Sequence, residues 1–152
     1  MMNHESYLKI PIMNPNGLIE IVRDHLRGDS RYDLGHVDAF VGTGLSGTMA
    51  VPLVAHALGK RMAIIRKEDD NTSNNHSCNR VEGNMEGGDR WVFLDDLIAS
   101  GATFARVHAT VERYGDGMFE FAGASLYHDG FAYAANHNMI QSYLSRHVGM
   151  YS

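Results

Sequence analysis

Two adjacent acidic residues stand between an apolar run and a turn of small residues in the segment Trp91–Thr103, WVFLDDLIASGAT. Two carboxylates at the end of a buried strand are costly unless they meet hydrogen-bond donors or a cation. Asp95 and Asp96 therefore predict a ligand with hydroxyl groups, and a ribose diol would meet that need. The alternative is a strand with an acidic cap that leads into a helix.

The turn after the acidic pair is built from residues that leave the backbone accessible. Its members are Ala99, Ser100, Gly101, Ala102 and Thr103. Such residues allow backbone amides to close around a phosphate, and two of them add hydroxyl donors. The string as a whole predicts a site for a phosphorylated sugar.

A second turn, Gly42–Thr48 with the sequence GTGLSGT, follows the apolar run that ends at Val41. Where such a turn opens a helix, free amides and the positive helix end favour an anion. Glycines at this place also occur simply to make a tight turn, and the pattern alone leaves both interpretations open. The turn is not a Walker loop, because no Lys precedes Ser or Thr after the final glycine.

Alternating strands and helices must position these two turns. Four apolar runs predict strands at 37–41, 62–65, 91–94 and 119–126, and helical spacing predicts helices at 46–58 and 102–114, with further helices at 18–26 and 138–146. This order predicts an α/β fold with a doubly wound, mainly parallel sheet. In such a sheet, ligands bind beyond the carboxyl ends of the strands, which is where both turns lie.

Residues 68–90 show no periodicity, and 69–77 are almost entirely polar. A loop of this length inside a compact domain is either functional or disordered. His76 in this loop is a candidate to neutralise an anion or move a proton near neutral pH. The alternative for His76 is an exposed loop histidine without a role.

At these residues the sequence resembles the type I phosphoribosyltransferases. Their signature is four apolar residues, an acidic pair, two apolar residues and a small-residue turn, and Trp91–Thr103 is compatible with it throughout. The Gly-rich turn after Val41 is similar to the family's pyrophosphate loop, and Ile64–Glu68 is similar to the strand before the family's mobile loop. The resemblance covers roughly residues 37–127.

The resemblance implies a role for each of these segments in binding 5-phosphoribosyl 1-pyrophosphate (PRPP). Asp95 and Asp96 would hold the ribose hydroxyls directly or through Mg²⁺, and Ala99–Thr103 would hold the 5-phosphate. The pyrophosphate would face Thr43, Gly44, Leu45, Ser46, Gly47 and Lys67. Residues 68–90 would form a lid over the reaction, with His76 as a catalytic candidate. The acceptor would be a nucleobase, with a purine as one possibility.

Three features of the sequence depart from the family pattern. Ser46 stands where related enzymes commonly carry Arg or Lys, residues 68–90 contain no Lys, and Ala99 replaces an acid of the hypoxanthine-guanine enzymes. The departure at Ala99 points toward the adenine-like and orotate-like branches, whereas a loop without Lys departs from the orotate enzymes. Two alternatives stay open: a PRPP- or nucleotide-binding regulator without turnover, and an unrelated protein whose acidic pair binds metal for phosphate-ester hydrolysis.

Length and composition limit the classes of partner. A chain of 152 residues predicts one domain (1–152), with a core at about 32–127 and a hood from 1–31 and 128–152 that the resemblance implies for base recognition. A net charge of -5 argues against a nucleic-acid partner, and the sequence predicts no membrane span. A single cysteine and the character of the first residues predict a cytoplasmic protein. The resemblance implies a homodimer.

Overall fold

A computed structural model describes residues 9–27, 33–66 and 80–148. These residues form a six-stranded sheet in the order β3-β2-β1-β4-β5-β6. The strands are β1 Ala39–Thr43, β2 Arg61–Ile65, β3 Val81–Gly83, β4 Arg90–Asp95, β5 Glu120–Leu126 and β6 Phe131–Ala134. The central strands β2, β1, β4 and β5 pair in parallel, and β3 and β6 pair antiparallel at the two edges. This confirms the predicted doubly wound α/β fold.

Helices cover both faces of the sheet. They are α1 Lys9–Met13, α2 Pro15–Leu26, α3 Gly44–Leu58, α4 Ala102–Gly115 and α5 Asn138–Arg146. Local signals set several of their ends: Asn14 accepts a hydrogen bond from the Gly17 amide at the start of α2, and Gly59 ends α3 in the left-handed conformation. Each of these signals can be read in the sequence.

Strand order creates the place where a ligand can bind. From β1 the chain moves outward to β2 and β3, and from β4 it moves outward in the other direction to β5 and β6. The order therefore reverses between β1 and β4, and the crevice outside the carboxyl ends at such a reversal is the usual ligand site of open α/β sheets. The two turns singled out in the sequence, after Val41 and after Leu94, both lie at this crevice.

The alternation of side chains along β4 divides the core between the two faces. Val92 and Leu94 pack into one cluster with residues of α2 and α3, whereas Trp91 and Phe93 pack into the other with residues of α4. Because β1 and β4 are buried on both faces, they read as continuous apolar runs in the sequence. This two-sided burial fixes the strand ends that carry the site.

The structure corrects the predicted boundaries at two edges. Within the predicted loop 68–90, residues 81–83 form β3, which pairs with β2, and Arg90 already belongs to β4. The Arg66 amide donates a hydrogen bond of 2.7 Å to the Arg80 carbonyl, which ties together the two ends of segment 67–79. At the other edge, β6 continues the sheet beyond residue 127, so the core extends into the segment predicted as hood.

Helix α2, which lies in the segment predicted as hood, packs onto the core. Leu18 and Val22 of α2 are fully buried and pack into the cluster that includes Val54 of α3. None of the described helices is both long enough and apolar enough to cross a membrane.

Candidate functional site

The acidic pair lies at the carboxyl end of β4, as the sequence predicts. Asp95 is 9 % exposed, and its Oδ1 atom accepts hydrogen bonds from the Ser46 hydroxyl at 2.7 Å and from the Asp96 amide at 2.8 Å. Asp96 is half-buried, and its Oδ1 atom accepts from the Leu97 amide at 2.8 Å. The Ser46 bond joins the turn after β1 to the turn after β4.

Burial makes Asp95 an unusual carboxyl group. Desolvation, with the hydrogen bond between the two carboxyl groups as the next contribution, raises the pKa of Asp95 to about 7. The hydrogen bond from Ser46 acts in the opposite direction and lowers this pKa. A carboxyl group in a crevice with a pKa near neutral pH is typical of a functional site, because a hydroxyl ligand or a cation can complete its surroundings.

The turn between β4 and α4 leads directly into the first turn of a helix. Gly101 has a φ of 89° and precedes the first residue of α4, and the Ala102 amide donates to the Ser100 hydroxyl at 3.2 Å. The start of α4 has no side-chain cap from Gly101, so amides of its first turn are available to an anion. A cavity of about 140 Å³ opens here, lined by Asp95, residues 97–101, Thr103 and two phenylalanines.

Helix α5 covers this turn from outside, which the sequence did not indicate. A Cβ atom at Gly101 would lie 2.4 Å from Cδ1 of Tyr143, and the His147 ring is 3.5 Å from the Ser100 carbonyl oxygen. Tyr143 therefore leaves room only for glycine at position 101. The requirement for glycine comes both from the positive φ and from this contact.

Two hydroxyl groups of the turn after β1, those of Thr43 and Ser46, are directed into the protein. Thr43 donates to the Ile65 carbonyl oxygen at 2.5 Å, and Ser46 donates to Asp95. A cavity of about 280 Å³ is lined by Thr43, Gly44, Leu45, Ser46, Asp95, Asp96 and Thr103. Four of the residues predicted for pyrophosphate, Thr43–Ser46, thus share one cavity with the acidic pair predicted for ribose. Backbone amides at the start of α3 are the donors left to an anion.

Gly47 has a packing role in addition to its predicted place in the pyrophosphate loop. A Cβ atom at Gly47 would lie 3.0 Å from the Gly42 carbonyl carbon, and one at Gly42 would lie 2.7 Å from a Val51 methyl group. The two glycines let α3 approach β1 closely. Gly47 is absent from the lining of the cavity that contains Thr43–Ser46.

Two predicted site residues, Lys67 and His76, lie outside the described residues. One basic residue that the sequence did not single out is close to the site: Arg106, in α4, donates to the Thr43 hydroxyl at 3.2 Å and to the Arg66 carbonyl oxygen at 3.4 Å. Its position depends on how α4 is rotated against β1 and β2, which no local pattern reveals.

The donor set is compatible with Mg²⁺ bound together with a ligand. Within the described ranges, no group of three or more His, Cys, Asp or Glu side chains could hold a metal by itself. Mg²⁺ commonly uses one or two carboxylates and completes its shell with water and substrate phosphates. Asp95 and Asp96 supply those carboxylates at the cavity that a phosphorylated ligand would enter.

Comparisons with known proteins agree with this geometry. No protein-family model matches the sequence. The orotate phosphoribosyltransferase of Cutibacterium acnes is 27 % identical over 96 residues, which cover 63 % of this chain and 43 % of that enzyme. The chain thus spans less than half the length of this curated relative.

Solved structures give the same picture at the level of fold. The orotate phosphoribosyltransferase of Aeropyrum pernix has a TM-score of 0.57 and 20 % identity, over 82 % of this chain and 63 % of that one. The adenine phosphoribosyltransferase of Thermoanaerobacter pseudethanolicus has a TM-score of 0.54 and 19 % identity, over 75 % and 69 %. The chain has the fold of the type I phosphoribosyltransferases.

Proposed function

We propose that this chain is a phosphoribosyltransferase that joins PRPP to a nitrogenous base, with Mg²⁺-assisted release of pyrophosphate. One observation carries the proposal: the two strand-to-helix turns at the reversal of strand order share a cavity that contains Asp95 and Asp96. The arrangement matches the chemistry of PRPP, which presents a 5-phosphate, a ribose diol and a pyrophosphate. The curated relative and the solved structures bear the names of enzymes of this kind.

Each part of the site would bind one part of PRPP. Asp95 and Asp96 would accept hydrogen bonds from the ribose hydroxyls, and amides of 99–103 at the start of α4 would hold the 5-phosphate. Amides at the start of α3 would face the pyrophosphate. Mg²⁺, when bound, would neutralise part of the pyrophosphate charge as the bond to the anomeric carbon breaks.

The protein would contribute mainly positioning and electrostatics. The reaction is displacement of pyrophosphate by a base nitrogen, which needs the two reactants held in line and water kept away. Segment 68–79 is the proposed lid and includes His76 as the catalytic candidate. The proposed acceptor is a nucleobase, and a purine and orotate are the first to test because solved relatives are named for adenine and orotate.

A regulator that binds PRPP or a nucleotide without turnover is the second candidate. The observation that favours it is the lining of the larger cavity, where the residues that the structure describes include two carboxylates and no Lys or Arg. Ser46, at the position where the related enzymes commonly have a cation, instead hydrogen-bonds to Asp95. An enzyme would need positive charge from another residue near this cavity.

We also propose a cytoplasmic homodimer. The single cysteine of the sequence is compatible with a reducing compartment. Helix α3 is apolar around most of its circumference, and Leu45 and Met49 on its outer side are 56 % and 41 % exposed. An apolar helix face of this kind is more often covered by another surface than left in water. Light scattering of the purified protein tests this assignment.

The decisive experiment for function supplies purified protein with PRPP, Mg²⁺ and single bases, and follows release of pyrophosphate. The panel contains adenine, hypoxanthine, guanine, orotate and uracil. Turnover with one base would establish both the class and the acceptor. Saturable PRPP binding by calorimetry without turnover on any base would favour the regulator, and absence of both would refute the proposed function.

A further inference from the structure

The larger cavity has a charge problem if pyrophosphate enters it. Among the residues that the structure describes, its lining combines Asp95 and Asp96 with small and apolar residues around the start of α3, and none of these lining residues is basic. Polyanionic pyrophosphate beside two acidic groups is unfavourable unless positive charge lies close by. Mg²⁺ and helix amides supply part of that charge, and a basic side chain at the border of the cavity would supply more.

Arg106 occupies such a position. It lies three residues after Thr103, so both side chains lie on one side of α4, and Thr103 lines the two cavities of the site. The Arg106 guanidinium donates to the hydroxyl of Thr43 at 3.2 Å, and Thr43 also lines the larger cavity. The guanidinium is therefore separated from this cavity by one side chain.

The hydrogen bonds of Arg106 run to the two strand ends that flank the proposed pyrophosphate site. One reaches Thr43 at the end of β1, and the other reaches the Arg66 carbonyl just after β2, at 3.4 Å. Arg66 itself is 3.8 Å from the Glu82 carboxylate, which offsets part of its charge at this edge. Among the described basic residues, Arg106 has contacts that place it between the turn after β1 and the two ends of segment 67–79.

The hydroxyl of Thr43 is oriented by these contacts. It donates its proton to the Ile65 carbonyl at 2.5 Å and accepts from Arg106. With its only proton used in this way, the Thr43 hydroxyl cannot donate to pyrophosphate as well. Arg106 would therefore act on the ligand through its charge and through the fixed turn, rather than through a Thr43 hydrogen bond.

We propose that Arg106 supplies the positive charge for the pyrophosphate half of the site that Ser46 does not supply, and positions the turn after β1. The inference rests on the proposed binding of PRPP and deepens it. Arg106 is a positioning and electrostatic residue here, because its described contacts are with the protein. Its effect should be confined to ligands that carry pyrophosphate.

The test compares two ligands that differ only in the pyrophosphate group. Calorimetry with Mg²⁺ measures the affinity of PRPP and of ribose 5-phosphate for the wild type, Arg106→Gln and Arg106→Lys. Arg113→Gln is the matched control, since it removes the same charge from an exposed position near the other end of α4. Circular dichroism confirms that each variant is folded.

We expect Arg106→Gln to weaken PRPP binding at least tenfold while ribose 5-phosphate affinity changes less than about threefold. Arg106→Lys keeps the charge and should stay within about threefold of the wild type for PRPP, and Arg113→Gln should match the wild type. If Arg106→Gln does not fold, Arg106→Lys decides: a tenfold loss for PRPP in this variant overturns the charge assignment.

Two other results also overturn the inference. Unchanged PRPP affinity in Arg106→Gln would show that its charge does not reach the ligand, and an equal loss for both ligands would assign Arg106 a general structural role. A wild type that binds ribose 5-phosphate but not PRPP would remove the pyrophosphate site itself. Failure of the wild type to bind either ligand refutes the proposed function together with the inference.

Discussion

Two buried aspartates flank the same strand and have opposite surroundings. Asp89, at the amino end of β4, is 3 % exposed and receives hydrogen bonds from two nitrogens of Arg61 and from the Glu86 amide. Asp95, at the carboxyl end, has the second carboxyl of Asp96 beside it instead of a cation. The hydrogen bonds from Arg61 lower the pKa of Asp89, whereas burial raises the pKa of Asp95.

The comparison indicates that Asp89 stabilises the fold, whereas Asp95 is available to bind a ligand. The carboxylate of Asp89 is satisfied by the protein alone, so the amino edge of the sheet needs nothing further. The carboxyl edge is left with an acidic pair, of which Asp95 is buried, and a cation or hydroxyl ligand would complete its surroundings. Burial of an acid without a cation is retained where ligand binding compensates for it. Removing the acid at the amino edge should therefore lower stability and spare binding, whereas removing the acids at the carboxyl edge should weaken binding.

The largest effect is expected from Asp95→Asn combined with Asp96→Asn. Loss of both carboxylates should weaken PRPP binding at least 100-fold, about 2.7 kcal/mol, because ribose hydroxyls and Mg²⁺ lose their acceptors. Calorimetry measures this affinity. The control is Asp116→Asn, an exposed residue at the end of α4 whose left-handed conformation Asn tolerates. Undiminished binding by a folded double variant would remove the basis of the PRPP assignment.

The pH dependence of stability should have opposite slopes for the two aspartates. Because the pKa of Asp95 is raised, its contribution to the free energy of unfolding of the ligand-free protein is fully present below pH 4, and it is lost as pH rises through about 7. The difference between this pKa and the ordinary value of 3.8 corresponds to at most ~4 kcal/mol in the free energy of unfolding, and we expect about half of that after local relaxation. Urea unfolding of wild type and Asp95→Asn from pH 4 to pH 8 measures the effect.

In that series, Asp95→Asn should become more stable than the wild type as pH approaches 8. Asp89 has a lowered pKa, so its stabilising contribution is present above pH 3.8 and is lost as pH falls below that value. Equal pH profiles for the wild type and Asp95→Asn would mean that Asp95 is ionised at little cost.

Glycines with positive φ provide a smaller comparison between the edges. Gly101, at the carboxyl edge, and Gly117, after α4 at the other edge, have φ values of 89° and 77°, but only Gly101 has a close neighbour in Tyr143. Gly117→Ala should cost ~1 kcal/mol through backbone strain and leave binding unchanged. Gly101→Ala should cost more and also weaken ribose 5-phosphate binding about tenfold. Equal stability of the two variants would show that the Tyr143 contact is easily relieved.

The smallest effect is expected from Asp89→Asn. This variant keeps one acceptor for Arg61, which is about one-third exposed, so the loss should be on the order of 1 kcal/mol at neutral pH. PRPP affinity of the folded variant should equal that of the wild type. Thermal unfolding and calorimetry check the two halves of the prediction, and a loss of affinity would contradict the proposed division between the edges.

The sequence predicts the parts of this site that depend on local pattern. The acidic pair and the turn 99–103 were identified because both lie in one continuous string after an apolar strand. The parallel sheet follows from alternating strands and helices. Strand β3 is not predicted because Val81–Gly83 is short and ends in glycine, and β6 is not predicted because Phe131–Ala134 is only four residues long and half of them are alanine.

Contacts between distant segments are the part that the sequence does not reveal. The bond between Ser46 and Asp95 requires β1 and β4 to be neighbours, which depends on strand order. The contacts of Tyr143 with Gly101 and of Arg106 with Thr43 depend on how α5 and α4 are seated. No periodicity along the chain encodes these orientations, because each is set by packing across the whole domain.

The hydrogen bond between Arg66 and Arg80 has a consequence for how this protein can change. It closes segment 67–79 at its base, where β2 and β3 are already paired, so the rest of the sheet does not depend on how many residues lie between. The entropic free-energy cost of closing a loop between fixed ends rises by only ~0.6 kcal/mol for each doubling of the loop's length. Exchange of this segment, in evolution or by grafting, should therefore cost little stability and leave the remaining architecture in place.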